Sequence, residues 1–364
     1  MHERGKISGL QIVFLLINLV GATAMVYLPG ITATEAGRDS WMVALLATLP
    51  GIYVILVVTA LGKRFPNQTM IQYMETLLGP LAGKLLALIY ILFFLHINGV
   101  IVREFGELVA TAIMPTTPQV AFAVVLVMVC TYGVYQGLEV IARVMELIYP
   151  TILILFGLVL LLVSGHMDPG NLLPVMENGI KPVLRGSLDP IAWRGEVFTL
   201  AMLMPYLARP EIARRNGIIA IIAIGFILVV DAMTSTAVFG VSTGRLNYAT
   251  FEIVRLAGFG QFLTRLDAIW IAIWVLSIFG KVGLFHFATV IGTAQLLRLK
   301  DHRVVLIPSS ILLITMSLSQ FDNVTEMVEF IVGAFIPYAY VIEIIIPTFL
   351  LILAWLKGKT RARW

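Results

Sequence analysis

Long apolar runs separated by short polar ones fill the chain. Ten of them are long enough to cross a membrane: 10–29, 41–61, 82–113, 118–136, 140–163, 191–208, 217–240, 263–297, 303–320 and 330–356. A helix rises ~1.5 Å per residue, so about twenty apolar residues cover the ~30 Å of a bilayer's hydrocarbon. The pattern therefore predicts an all-α, polytopic membrane protein with ten transmembrane helices, its 364 residues forming a single transmembrane domain.

The first run, Leu10 to Gly30, reads as a spanning helix whose middle is interrupted. Asn18, Gly21, Ala22 and Thr23 fall near mid-depth, and Pro29 with Gly30 closes the run. A helix broken inside lipid leaves N–H and C=O groups that cost several kcal/mol each unless paired, so a break survives only inside protein or along a cavity. Such discontinuities hold the substrate in many secondary transporters. The same small residues also suit close packing against a neighbouring helix. Residues 1–29 are expected to act as an uncleaved signal anchor, because the first run is of full span length with no small-residue cleavage site after a short apolar core.

The run lengths hint at an internal repeat. Runs 1 and 6 each hold a small residue followed by a proline, Gly21 then Pro29 and Gly195 then Pro205, and runs 3 and 8 are both too long for a perpendicular crossing. Five spans per half forces the two halves to insert in opposite senses, so the expected arrangement is a five-plus-five inverted repeat, approximately 7–163 and 190–356, with helices 1 and 6 broken. Tilted long helices and ordinary helix prolines are the plainer account of the same lengths.

Composition agrees with a membrane chain: 59% of residues are hydrophobic, 13% are charged, and the mean hydropathy is +0.96, against roughly 25% charged in soluble domains. The net charge of +4 is set by topology rather than by a nucleic-acid partner. With the N-terminus inside, sixteen Lys and Arg fall on the cytoplasmic side and eight outside, which places both termini in the cytoplasm. The single cysteine, Cys130, excludes an intrachain disulfide and a cysteine-based metal site. No phosphate loop, nucleophile elbow or HExxH run is present, so no catalytic residue, metal or cofactor is assigned and the chain does not read as an enzyme.

Charge inside the spans carries the functional signal, because it is costly there and faces the bundle interior. Glu196 lies in run 6, Asp231 in run 7, Lys281 at the centre of run 8 and Glu343 at the centre of run 10; these four are the candidate ion- or proton-linked groups. Lys281 is the one deeply placed basic residue and is expected to pair with one of the three acids or to lie beside carbonyls freed at a helix break. It is either a structural ion-pair member or a charge that replaces a sodium ion or exchanges a proton. Arg194, Gly195 and Glu196 mark the expected break of run 6, unless the helix simply begins at Val197. His96 and His286 lack further ligands at helical spacing and read as interior histidines. Arg103 and Glu107, four apart on one face, are expected to pair locally.

The letters of the chain resemble a known family. VGATAMVYLP in run 1, GRDSWMVALL entering run 2, KRFPNQTMIQYMETLLG after it, REFGELV late in run 3, GLEVIARVMELIYP, NLLPVMENGIKPVLRGS, GEVFTLAMLMP in run 6 and TRLDAIWIAIWVLSIFGK in run 8 are similar, in order and spacing, to the B subunits of spore germinant receptors. These are the endospore germination permeases of the amino acid–polyamine–organocation superfamily. The resemblance implies a leucine-transporter-type fold and a small amino-acid-like germinant held at the centre. It also implies partnership with an A subunit and a lipoprotein C subunit in the spore inner membrane. Carried onto matching positions, the substrate site comprises Gly21, Ala22 and Thr23, Phe93 and Ile97 of run 3, Gly195 and Glu196 of run 6, and Lys281, whose amine would stand where sodium-coupled relatives hold a sodium ion. Thr23 replaces a glycine common in the family, so the pocket is narrower or more polar. The alternative to a germinant sensor is a proton-coupled amino-acid transporter using the same site.

Overall fold

The computed structural model describes residues 5–257 and 266–358. Positions 263–265 of the eighth predicted run, and Arg4, Arg265, Lys359, Arg361 and Arg363 of the basic-residue tally, lie outside these. The described residues form helices joined by turns and loops, with one isolated bridge in which the Ile7 N–H donates to Tyr206 O and the Ala208 N–H to Ile7 O, both at 2.9 Å. In chain order the helices are α1 Gly9–Ala36, α2 Ser40–Leu46, α3 Thr48–Arg64, α4 Met70–Leu78, α5 Pro80–Ala112, α6 Gln119–Gln136, α7 Leu138–Val163, α8 Ile180–Gly186, α9 Leu188–Gly195 and α10 Leu200–Leu203. They continue as α11 Ala213–Phe239, α12 Ala249–Leu256, α13 Leu266–Leu296, α14 Leu306–Ser319, α15 Val324–Val332, α16 Phe335–Ala339 and α17 Ile346–Leu356.

Local signals in the sequence account for the helix ends. Ser8 caps α1 by accepting from the Gln11 N–H at 3.1 Å, while the Gln11 side chain accepts from the Ser8 N–H at 2.8 Å, a capping box. Thr69 and Gln72 open α4 in the same way. Gly79 (φ +86°) and Gly137 (φ +104°) supply the left-handed turns ahead of α5 and α7, where a side chain would be strained.

Among the described residues, eight helical stretches are long and apolar enough to cross a membrane. The first, Gly9–Arg64, holds two of the predicted spans; the sixth predicted span is absent from the eight because it is divided into short pieces. The helix α1, apolar all round, is buried along nearly its whole length, as a helix without a polar face must be. It packs on α11, α7, α13 and α12. The outer helices turn apolar stripes outward instead; Leu147, Ile154 and Leu161 of α7, spaced by seven, are exposed and suit lipid.

Two interrupted helices were expected, and one is found. Span 6 runs as α9, a 3-10 turn at Glu196–Thr199, α10 and a second 3-10 turn at Met204–Tyr206. In contrast, α1 continues unbroken through Gly21, Ala22 and Thr23. The small residues there serve packing: a Cβ on Gly21 would lie 3.1 Å from Ile224 Cδ1 of α11 and 3.4 Å from the Tyr149 hydroxyl. The disturbance of α1 sits further on, at Pro29, which lacks the N–H that would bond to Met25 O four residues earlier. Thr250 of α12 supplies the missing donor, its Oγ lying 2.5 Å from Met25 O.

The tenth predicted span also differs. It begins at Phe335 rather than 330, after a break at Gly333, and it contains a π turn at Tyr340–Ile345 before Pro347. In π register an N–H at 347 would serve the carbonyl of Ile342, five residues back. Proline has none, and the Tyr90 hydroxyl of α5 donates to that carbonyl at 2.6 Å.

Candidate functional site

The interruption of span 6 brings three elements together at one ammonium group. Lys281 of α13 donates to Glu196 Oε1 at 2.9 Å and Oε2 at 2.8 Å, and to Thr23 Oγ of α1 at 2.8 Å. Lysine and glutamate side chains are 0% and 1% exposed. The three donations match the three protons of an ammonium, so the cation is fully satisfied although it is removed from water. Of the three acids that were candidates for Lys281, Glu196 is therefore the partner. Arg194 and Glu196 are both buried, which excludes the plainer reading in which the helix begins at Val197 and leaves them at the interface. Arg194 donates to Ala44 O at 2.8 Å.

Glu343 belongs to the same neighbourhood without joining the pair. It projects from the π turn, is 0% exposed, and neither carboxyl oxygen has a hydrogen-bond partner. Its carboxyl lies over Gly195, where any Cβ would collide with Oε2. Glycine at the end of α9 thus makes the room that Glu343 occupies. Glu196 and Lys281 lie within electrostatic reach of it. Glu104 of α5, 2% exposed, adds a further acid within electrostatic reach of Lys281 and Glu196.

Around this polar centre the walls are aromatic. Phe198, on the 3-10 turn, stacks on Phe94 (centroids 5.4 Å, planes 2° apart) and meets Phe93 edge to face at 5.7 Å. Phe93 also packs on Tyr338 at 5.0 Å. Ile97 is buried beside them, and its neighbour Asn98 donates to Val282 O of α13 at 3.2 Å. Next to Gly21 is a cavity of about 20 Å³ lined by Met25, Ile152, Trp270, Ile273, Trp274 and Ser277. That volume holds a water molecule and no more.

Of the sequence-predicted residues, Thr23, Glu196 and Lys281 meet directly, and Gly195 meets Glu343. Asp231 stands apart: its oxygens lie 2.9 and 3.0 Å from Thr250 Oγ. Arg103 and Glu107 pair at 2.8 Å as their spacing implied. Four contacts were not foreseen. Trp274 Nε1 donates to Ala22 O at 2.7 Å, Asn18 and Ser277 bond reciprocally, and Thr250 and Tyr90 serve the carbonyls left bare by prolines. Pro29 and Pro347 each announce a carbonyl in need of a donor, so the need was readable even though the donor was not.

A helical bundle with eight membrane-length stretches among the described residues, built around a divided sixth span and a buried charged centre, defines a multi-pass membrane protein of the transporter kind. Its backbone is similar to that of Mhp1, a nucleobase-cation-symport-1 family transporter solved in a closed conformation with bromovinylhydantoin bound (TM-score 0.69, 12% identity, 99% of this chain and 80% of that one), which establishes a leucine-transporter-type fold of ten helices in inverted repeats. The sequence decides the family: residues 6–325 match the spore permease family, described as "Spore germination protein", and the chain belongs to it. Curated relatives include spore germination protein KB of Bacillus subtilis (strain 168), 30% identical over 99% of this chain and 98% of that protein, and spore germination protein XB of Bacillus anthracis, 25% identical over 97% and 99%. Family and fold are those of permeases and transporters.

Proposed function

We propose that this protein is a germinant receptor subunit that takes a small amino-acid-like ligand between α1, the divided sixth span, α5 and α13, and passes the event on as a conformational change. The reading extends to an assembly with an A subunit and a lipoprotein C subunit in the spore inner membrane, both termini on the core side. One observation carries it: a single ammonium, Lys281, ties α1, the 3-10 turn of span 6 and α13 together at the bundle centre. A zwitterionic ligand has the groups to reorganise such a centre. Its carboxylate competes with Glu196 for Lys281, and its ammonium finds in Glu343 an acid without a partner. The packed rings of Phe93, Phe198 and Tyr338 would have to part to receive its side chain. A ligand shifts the equilibrium only by its differential affinity for the two states, and exchanging ion-pair partners supplies that difference.

A second reading, a proton-coupled amino-acid transporter, draws on the same Glu343. A buried acid with no partner is a group that exchanges a proton when the site opens. The two readings separate by experiment on purified protein in lipid nanodiscs and proteoliposomes, using a panel of radiolabelled L-amino acids. A receptor binds one of the panel saturably with no uptake, and Lys281→Met abolishes the binding. Accumulation driven by a pH gradient favours the transporter. Absence of binding and uptake across the panel rejects both.

A further inference from the structure

Asp231 is buried in the middle of α11, 1% exposed, and the central site makes no use of it. Among the described residues, the one side chain bonded to it is Thr250 of α12, whose Oγ lies 2.9 Å from Oδ1 and 3.0 Å from Oδ2. The same oxygen lies 2.5 Å from Met25 O, the carbonyl that Pro29 leaves without its helical partner. A hydroxyl has one proton to give. Both of its neighbours, a carbonyl and a carboxylate, accept only. One of the two contacts is therefore lone pair against lone pair unless the acid brings a proton of its own.

We propose that Asp231 is a proton-binding site: the carboxylic acid donates to Thr250 Oγ, Thr250 donates to Met25 O, and the proton so bound holds α12 against α1. Both protons of the relay then have an acceptor, and the buried Met25 carbonyl keeps its donor. Loss of the proton leaves a carboxylate that claims the Thr250 hydroxyl for itself. Met25 O then has no donor, and α12 loses its polar tie to α1. The short helix sits in the connection between α11 and α13 and touches α1, α7, α11 and α13, so its release frees the end of the bundle at which α1 finishes.

Several of the charged and titratable groups on the surrounding elements are engaged elsewhere. Glu252 and Arg255 of α12 pair with each other at the surface at 3.2 Å. Tyr27 of α1 and Tyr248 ahead of α12 meet edge to face with ring centroids 5.4 Å apart, and Tyr27 donates to Glu104 O. Glu35, near the end of α1, faces Arg185 at 3.7 Å. On the segments against α11, Asp39 accepts from the Met176 N–H and Asp168 from the Gly170 N–H. Arg214 and Arg215 stand in the first turn of α11, Lys63 and Arg64 in the last turn of α3, and Arg245 ends the 3-10 turn after α11. None is bonded to Asp231. A metal ion is a poorer occupant than a proton: among the described residues no group of three or more His, Cys, Asp or Glu is placed to hold one.

The test is infrared spectroscopy of the reconstituted protein across a pH series, with Asp231→Asn, Thr250→Val and Thr250→Ser, and needs no ligand. Wild type minus Asp231→Asn is expected to show a carboxylic-acid C=O band at neutral pH that fades as pH rises, and Thr250→Ser to keep that band at its wild-type position. Thr250→Val should move it, since the acid loses its acceptor. Asparagine carries an N–H toward Thr250 just as the neutral acid carries an O–H, so Asp231→Asn should match the wild-type melting temperature at neutral pH. Wild-type stability should then fall more steeply than that of the variant as pH rises through the ionisation of Asp231. A carboxylate band for Asp231 at neutral pH, or an Asp231→Asn melting curve with the wild-type pH dependence, overturns the proposal. If Asp231→Asn does not accumulate, the Thr250→Val band shift decides: no shift from wild type rejects the site.

Discussion

The ammonium of Lys281 lies 2.8 and 2.9 Å from the two oxygens of Glu196, and neither side chain touches solvent. Removing one member of such a pair costs far more than removing both, because the survivor is a buried charge without compensation. Lys281→Met is therefore expected to lower stability by about 3–5 kcal/mol, and Lys281→Met with Glu196→Gln to recover most of it. If the amine belongs to the signalling switch, the double variant is stable yet fails to trigger dipicolinate release from spores with matched protein levels. We expect that outcome, and we expect the wild-type response to persist in sodium-free buffer. A double variant that is both stable and responsive returns Lys281 to a purely structural role.

Gly195 and Glu343 form a second coupled pair, of volume rather than charge. Alanine at 195 has no room beneath the Glu343 carboxyl, and overpacking of this kind costs about 1–3 kcal/mol. Glu343→Ala should relieve it. The thermal shifts of Gly195→Ala, Glu343→Ala and the double variant should thus be strongly non-additive. Additive shifts would mean that the two residues do not share this space.

Thr250 and Pro29 should be linked through Met25 O. Thr250→Val keeps the shape and removes the donor, leaving a buried carbonyl unsatisfied at about 1–3 kcal/mol. With Pro29→Ala in the background, the residue at 29 regains an N–H for that carbonyl. The penalty of Thr250→Val should shrink accordingly, read as a smaller drop in melting temperature. An undiminished penalty would assign the cost of Thr250→Val to its contact with Asp231 alone.

Orientation is testable with an impermeant thiol reagent in a Cys130→Ala background, where the native buried cysteine is gone. Asn323→Cys, at the exposed cap of α15, should label from outside, and Asp301→Cys, in the turn between α13 and α14, only after permeabilisation. The reverse pattern would invert the proposed topology.

How far the letters reached differs by kind of feature. Span positions were legible because burial in lipid leaves a long apolar run whatever the neighbours are, and α1, α5, α7 and α13 fall where such runs lie. Buried charges were legible for the same reason, since Lys281, Glu196, Asp231 and Glu343 stand out against apolar surroundings. Partner choice was not: Lys281 had three candidate acids, and only the packing of span 6 on α1 and α13 selects Glu196. Continuity of α1 was misread because Gly-Ala-Thr looks alike in a break and in a close helix contact, and Ile224 opposite Gly21 decides between them. The π turn around Glu343 has no signal in residue type beyond Pro347.

The bridge at Ile7 links two segments about two hundred positions apart in the chain through backbone alone, with Lys6 Nζ adding a bond to Pro205 O at 2.8 Å. It fastens the stem of α1 to the far end of the divided span. Parting these segments exposes the Ile7 and Ala208 amides together, so their hydrogen–deuterium exchange rates should rise and fall in step, acting as a paired reporter for opening of that mouth of the bundle.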